Sequence, residues 1–130
     1  MRQDSENPVY YVQYAHARIC SLLATLAADG LTAADKVDAS LLTTAQEREL
    51  IRSIAAFPGE IRGAANELDP SRINRYATEL ASRFHKFYNA CRIRGEEEAT
   101  ARARLGLADA TKQVLENALG ILGVTAPESM

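Results

Sequence analysis

The chain has 130 residues, of which 47% are apolar and 25% charged, and its formal net charge is −2. This length suits one compact domain, and we expect residues 1–130 to form it. No apolar run approaches the roughly 18 residues of a bilayer-spanning helix, which excludes a membrane protein. Two cysteines are too few for a disulfide framework, so the composition predicts a reducing, cytoplasmic location.

Charge is distributed unevenly along the chain. Residues 71–94 carry six basic groups and one acidic group, whereas residues 31–70 and 95–130 each have a net charge of −3. The chain therefore lacks the broad basic surface of most domains that bind nucleic acid through phosphates. It contains one basic segment within an acidic protein.

The first helix is predicted to begin at Asn7-Pro8, because Asn is a good N-cap and Pro suits the first helical position. Gly30 favours an end near Asp29-Gly30, since Gly readily adopts the left-handed C-terminal conformation. Residues 31–43 lack periodicity and are predicted to form a connecting loop. The apolar stripe of this helix consists of Val12, Ala15, Ile19, Leu22, Leu23 and Leu26.

Four more helices are predicted downstream. Thr44 begins the second, with Glu47 as its capping-box partner, and Phe57-Pro58-Gly59 ends it. The remaining helices are predicted over about residues 60–68, 71–93 and 96–123. The predicted buried stripe of the long helix 71–93 consists of Ile73, Ala77, Leu80, Phe84, Tyr88 and Cys91. Because no strand pattern is found, the predicted fold class is an all-α bundle of about five helices.

The residues show no catalytic constellation. No glycine precedes a Lys-Ser or Lys-Thr pair, as it would in a phosphate-binding loop. His16 and His85 lie on different helices without the spacing of a zinc motif, and His16 is predicted to be a packed histidine. Cys20 and Cys91 fall on or near apolar stripes and are predicted core thiols. We therefore expect no cofactor and no metal in this chain.

A second stripe on the first helix consists of Tyr11, Tyr14 and Arg18. At about 100° per residue, these side chains share one side of the helix, centred roughly 110° from the middle of the apolar sector. Two aromatic rings beside a guanidinium suit an unstacked nucleobase and its phosphate. The same pattern is typical of tyrosines that seal the edge of a core. Spacing alone leaves both interpretations open.

The segment Asn-Pro-Val-Tyr-Tyr-Val-Gln-Tyr-Ala-His-Ala-Arg-Ile at residues 7–19 resembles the signature that opens the C-terminal anticodon-binding domain, called DALR, of arginyl-tRNA synthetases. The likeness covers nearly all the chain from Asn7 onward, and its most specific parts are residues 7–19 and the final Pro-Glu-x-Met. Ser129 departs from the family pattern, which usually has Arg before the last Met. The likeness continues through residues 40–42, 57–58, 76–88, 91–93, 103–105 and 122–130.

The resemblance implies a helical domain, of the class I synthetase type, that holds the anticodon loop of arginine-accepting tRNA. The positions that it assigns to this loop are Tyr11, Tyr14, Arg18, Tyr88 and Met130. A catalytic domain of the same polypeptide would charge the tRNA with arginine, using ATP and Mg²⁺. We therefore expect this chain to be a fragment of an arginine–tRNA ligase, inactive alone and without a cofactor of its own.

The sequence allows two interpretations of three basic residues and two of the function. Arg83, Lys86 and Arg92 could approach phosphates or could belong to a solvated helix face. A rival function is a helical protein-interaction module that uses the tyrosine stripe as an aromatic hot spot.

Overall fold

Five α-helices make up the fold of residues 8–128 and 130, which are the residues that the computed structural model describes. They are α1 (Pro8–Ala28), α2 (Ala45–Ala55), α3 (Phe57–Glu67), α4 (Ser71–Ala90) and α5 (Glu98–Ile121). The predicted all-α class and helix number are confirmed. Within these residues, no helix combines the length and the apolar character needed to cross a bilayer.

Helix α4 is the centre of the bundle, because it packs against each of the other four helices. A helix with neighbours on several sides is buried over a broad sector instead of a narrow stripe. Phe87, which the predicted stripe omitted, is accordingly 0% exposed, whereas Tyr88 is only half-buried. The buried residues of α4 are Ile73, Tyr76, Ala77, Leu80, Ala81, Phe84 and Phe87.

The end of α4 differs from the prediction. The helix ends at Ala90, three residues before the expected Ile93, and Cys91 adopts extended backbone with φ −120° and ψ 113°. This change of direction turns Ile93 inward, where it is buried against Leu26 and Leu105 in a second, smaller core cluster. Burial of the Ile93 side chain outside the helix therefore outweighs continuation of the helical pattern.

The start of α3 and the loop 31–43 also contain more structure than expected. Helix α3 begins at Phe57 instead of near residue 60, because Pro58 lies in the first turn, where its missing N–H costs no hydrogen bond. The loop contains a single 3-10 turn at Ala39–Leu41, in which the Asp38 carboxylate accepts from the Ser40 N–H at 3.0 Å. Side-chain hydrogen bonds of this kind stabilise a turn that hydrophobic periodicity does not reveal.

The same loop is fastened to α5. The Ala34 N–H donates to the Arg102 carbonyl at 3.1 Å, and a Cβ added at Gly106 would lie 2.4 Å from Cγ2 of Val37. Glycine at position 106 therefore allows the close approach of the loop to the helix.

The predicted capping box at the start of α2 is confirmed, and it is part of a buried ion pair. The Thr44 hydroxyl accepts from the Glu47 N–H, and Oε1 of Glu47 accepts from the Thr44 N–H at 3.0 Å. Oε2 of Glu47, which is 0% exposed, accepts from Nε of Arg104 in α5 at 2.7 Å. Nη1 of Arg104 donates to the Arg92 carbonyl. This network joins α2, α5 and the segment after α4.

Removal of Glu47 tests this network. Glu47→Ala removes the carboxylate that is hydrogen-bonded to the buried Arg104 guanidinium and leaves, among the described residues, only the exposed Glu96 at 3.9 Å. We therefore expect the free energy of unfolding to fall by about 3 kcal/mol. Glu49→Ala, in the same helix, removes an exposed ion pair with Arg83 and should cost about 0–1 kcal/mol. Urea unfolding followed by circular dichroism measures both values, and equal losses would contradict a special role for Glu47.

Acid should weaken the same contact. Burial raises the pKa of Glu47, but hydrogen bonds from Thr44 and Arg104 outweigh it and hold the pKa below the ordinary 4.5. A carboxyl with a lowered pKa in the folded state stabilises the protein above its unfolded pKa and loses this contribution as pH falls through the folded pKa. The free energy of unfolding should therefore decline below about pH 4.5, and less steeply in Glu47→Gln. An unchanged slope in the variant would show that other groups cause the decline.

Candidate nucleic-acid interface

The packing of α1 against α4 brings most of the predicted site residues together. We call Tyr11, Tyr14, Arg18, His85 and Tyr88 the aromatic–arginine surface. The first three lie on one side of α1, and the last two lie three residues apart on α4. Because residues at this spacing share a helix face, the two helices present one continuous patch.

Arg18 is at the middle of the aromatic–arginine surface. Its Cζ lies 5.0 Å from the ring centroid of Tyr88, which is within range of a cation–π interaction. Its Nη1 lies 3.3 Å from Nδ1 of His85. The ring of Tyr11 lies 5.6 Å from the His85 ring, with 58° between the two planes. A chain of contacts therefore runs from Tyr11 through His85 and Arg18 to Tyr88.

The members of the surface differ in exposure. Tyr14 is 45% exposed and Arg18 is exposed, whereas Tyr11 and Tyr88 are half-buried. The Tyr88 ring packs on its core side against Phe84, whose ring is nearly parallel to it at a centroid distance of 6.1 Å. Tyr11 and Tyr88 thus seal the core edge with part of each ring, and Tyr14 and the Arg18 guanidinium face solvent.

Beside this surface lies an open cleft of about 710 Å³, which we call the arginine cleft. It lies between α1 and the segment that follows α4. Three arginine side chains line it, from Arg18, Arg92 and Arg94. The apolar side chains of Leu26 and Ile93, both from the second core cluster, also line it. Volumes of roughly 300–1,000 Å³ are usual for sites that hold a small molecule.

Most of the basic residues in the segment 71–94 are used within the fold. Arg83 contacts Glu49 at 3.2 Å and donates to the Ser53 hydroxyl at 2.7 Å, so it fastens α4 to α2. The basic residues with carboxylate partners are Arg72, Arg75, Arg83 and Arg94. Lys86 and Arg92 have no carboxylate partner among residues 8–128 and 130. The structure therefore leaves these two available to an anion.

The C-terminal segment approaches α1 from another side. The Gln13 side-chain amide donates to the Thr125 carbonyl at 2.9 Å, and Nδ1 of His16 donates to the Pro127 carbonyl at 2.9 Å. His16 is 1% exposed, so the prediction of a packed histidine is confirmed. Met130 is 52% exposed. Gln13 lies about 140–160° around α1 from Tyr11 and Arg18. These hydrogen bonds therefore do not involve the side of α1 that faces α4.

The sequence pattern does not predict a binding role for His85, nor the arginine cleft. The spacing of His85 and Tyr88 places them on one face of α4, which was the available signal. Only the pairing of α1 with α4 shows that this face meets Arg18. Arg94 is not predicted to line a site either, because the turn after Ala90 that brings it to the cleft lies within the predicted helix 71–93.

Other reactive groups form no further site in the part of the chain that the structure describes. No group of three His, Cys, Asp or Glu side chains there could hold a metal ion. Both cysteines are free; Cys91 is buried as predicted, whereas Cys20 is only half-buried. Burial nevertheless raises the pKa of the Cys20 thiol, which disfavours the reactive thiolate.

Comparison with known proteins identifies the family. The family model of the DALR anticodon binding domain matches residues 12–130. The chain belongs to the DALR anticodon-binding domain family. The arginine–tRNA ligases of Ruminiclostridium cellulolyticum and Symbiobacterium thermophilum are 51% and 54% identical to this DALR domain and cover 100% and 98% of it. The chain spans only 23% of the length of each of them.

A solved structure shows the same fold. The arginyl-tRNA synthetase of Thermus thermophilus matches 92% of the DALR domain with a TM-score of 0.79 and 31% sequence identity, over 21% of its own length. The resemblance given by residues 7–19 is therefore confirmed. No comparison favours the rival hypothesis of a helical protein-interaction module.

The contact between Arg18 and His85 predicts a measurable titration. Burial, and then the nearby Arg18 guanidinium, hold the pKa of His85 below its ordinary 6.5. Arg18→Ala removes the second cause, so we expect the pKa of His85 to rise while burial still keeps it below the ordinary value. NMR titration of the imidazole signals measures it. Arg75→Ala is the control, since Arg75 lies about 15 Å along α4 from His85; an unchanged pKa in Arg18→Ala would contradict the contact.

Proposed function

We propose that this DALR domain binds the anticodon loop of an arginine-accepting tRNA through the aromatic–arginine surface and the arginine cleft. The observation that carries the proposal is the position of the Arg18 guanidinium. It lies over the Tyr88 ring, lines the cleft and is one helical turn from the exposed Tyr14. Family membership supports tRNA as the ligand, since the relatives are named arginine–tRNA ligases.

The geometry supports recognition of unstacked bases. Sequence-specific RNA binding usually targets loops, whose bases can turn outward and stack on aromatic rings or on guanidinium planes. Tyr14 offers an exposed ring, and Arg18 offers both a charge and a flat surface. Stacking is worth about 1–3 kcal/mol per base, so useful affinity does not require a basic domain. This fits a chain whose net charge is −2.

The arginine cleft supplies candidate phosphate ligands. Arg92 lines the cleft and has no carboxylate partner among residues 8–128 and 130, so its guanidinium can bind a phosphate. Lys86, the other cation of the segment 71–94 without such a partner, lies instead in a separate pocket beside Glu49 and Arg83 and does not line the arginine cleft. The resemblance adds Met130 as a base contact; its soft thioether is exposed, at the end of a segment that binds another side of α1.

The wider role concerns a longer polypeptide. We propose that a catalytic domain of the same polypeptide joins arginine to the tRNA with ATP and Mg²⁺, while this domain orients the tRNA. The relatives support this, because the chain matches only 23% of their length. The 130-residue chain should therefore bind tRNA without charging it.

Direct binding tests the proposal. We expect a labelled anticodon stem-loop of an arginine-accepting tRNA to bind the chain more tightly than the same hairpin with another anticodon. The slope of log K against log salt should be about −2 or shallower, because few phosphates are neutralised. Fluorescence anisotropy at several salt concentrations measures both quantities. Equal affinity for every hairpin would reject the proposal.

Tyr14→Ala tests the stacking surface. We expect it to weaken stem-loop binding by about 1–3 kcal/mol, while the helical circular dichroism signal stays unchanged. Ile121→Ala is the matched control, because Ile121 is similarly exposed on α5 and lies outside the surface. If Tyr14→Ala unfolds the bundle without a separate effect on RNA, Tyr14 belongs to the core and the site assignment fails.

A further inference from the structure

His85 occupies a central place in the aromatic–arginine surface, although nothing in its sequence pattern assigns it a role. Its ring lies 5.6 Å from that of Tyr11 on one side and 6.0 Å edge-on from that of Phe84. Its Nδ1 lies 3.3 Å from Nη1 of Arg18. The imidazole is therefore held by aromatic rings with one nitrogen directed at the guanidinium.

The chemistry of the two groups fixes the protonation state of His85. A guanidinium only donates hydrogen bonds, so Nδ1 of His85 has to accept, and the ring proton has to lie on Nε2. A doubly protonated ring would have no acceptor and would repel Arg18. Burial and the neighbouring guanidinium both lower the pKa of His85, which favours this neutral form.

We propose that His85 is a positioning residue that holds the Arg18 guanidinium over Tyr88, so that the cation is oriented before RNA arrives. Arg18 is exposed, and a free arginine side chain would sample many rotamers that binding has to restrict. The hydrogen bond to His85 and the contact with the Tyr88 ring restrict the position and orientation of the Arg18 guanidinium before RNA binds. The inference rests on the proposed function, because it assumes that Arg18 contacts the RNA.

A pair of variants of similar size isolates the hydrogen bond. In His85→Asn, the amide oxygen can occupy the place of Nδ1 and accept from Arg18, whereas in His85→Gln the amide reaches the place of Nε2. We expect His85→Asn to keep most of the affinity for the anticodon stem-loop. We expect His85→Gln and His85→Ala to weaken it roughly three- to tenfold. Equal losses in the Asn and Gln variants would overturn the proposal.

A double-mutant cycle tests whether His85 acts through Arg18. In the Arg18→Ala background, His85→Gln should cause no further loss of stem-loop affinity, because no guanidinium remains to be oriented. A loss of the same size in both backgrounds would mean that His85 contacts RNA itself or only supports the fold. This result would overturn the positioning role, whichever of the two explanations applies.

A measurement without RNA separates this inference from the proposed function. NMR relaxation of the Arg18 side-chain Nε–H should show restricted motion in the wild type and in His85→Asn, and faster motion in His85→Gln. Equal mobility in all three proteins would overturn the positioning role even if RNA binds. Restricted motion without any stem-loop binding would reject the proposed function and leave the oriented Arg18 intact.

Discussion

The buried contact between Glu47 and Arg104 is the interaction on which the arrangement of the bundle depends. Two charges removed from water are stable in the interior only when their hydrogen-bonding groups are satisfied. Here the Thr44 N–H and the Arg92 carbonyl provide the additional partners. The ion pair therefore fixes the start of α2, the first half of α5 and the segment after α4 relative to one another. That segment carries Arg92 and Arg94, so the same contact defines one wall of the arginine cleft.

The proposed site and the core share the same helix. Helix α4 buries Phe84 and Phe87, and its His85 and Tyr88 side chains contact Arg18 of α1. The Tyr88 ring packs on Phe84 of the core, nearly parallel to it at 6.1 Å. A rigid helix holds a binding residue more precisely than a mobile loop does. The pairing of α1 and α4 thus turns side chains 67 residues apart, Arg18 and His85, into neighbours.

Most basic side chains of the segment 71–94 form ion pairs within the bundle. Ion pairs to α2 and α3 occupy Arg72 and Arg83 of the basic segment, so that segment is not a continuous positive surface. The exposed Arg92 lines the arginine cleft, which Phe84 and Tyr88 also line. An acidic domain of this kind would gain affinity for RNA from stacking more than from phosphate neutralisation. The two effects are distinguishable, because only phosphate neutralisation depends strongly on salt.

The sequence by itself determined the number of helices and most of their bounds, because caps and periodicity act over three or four residues; the end of α4 and the start of α3 differ. The capping box of Thr44 and Glu47 and the stripe of Tyr11, Tyr14 and Arg18 follow from these local rules. The family follows from a different kind of sequence information, the resemblance of residues 7–19 to DALR domains. Only the tertiary structure decided that Arg104 completes the Glu47 site, that His85 meets Arg18, and that the turn after Ala90 opens a cleft. These features arise from contacts between residues that are far apart in the chain. Local sequence patterns do not predict such contacts, because the pairing of the helices depends on the simultaneous packing of all their buried surfaces.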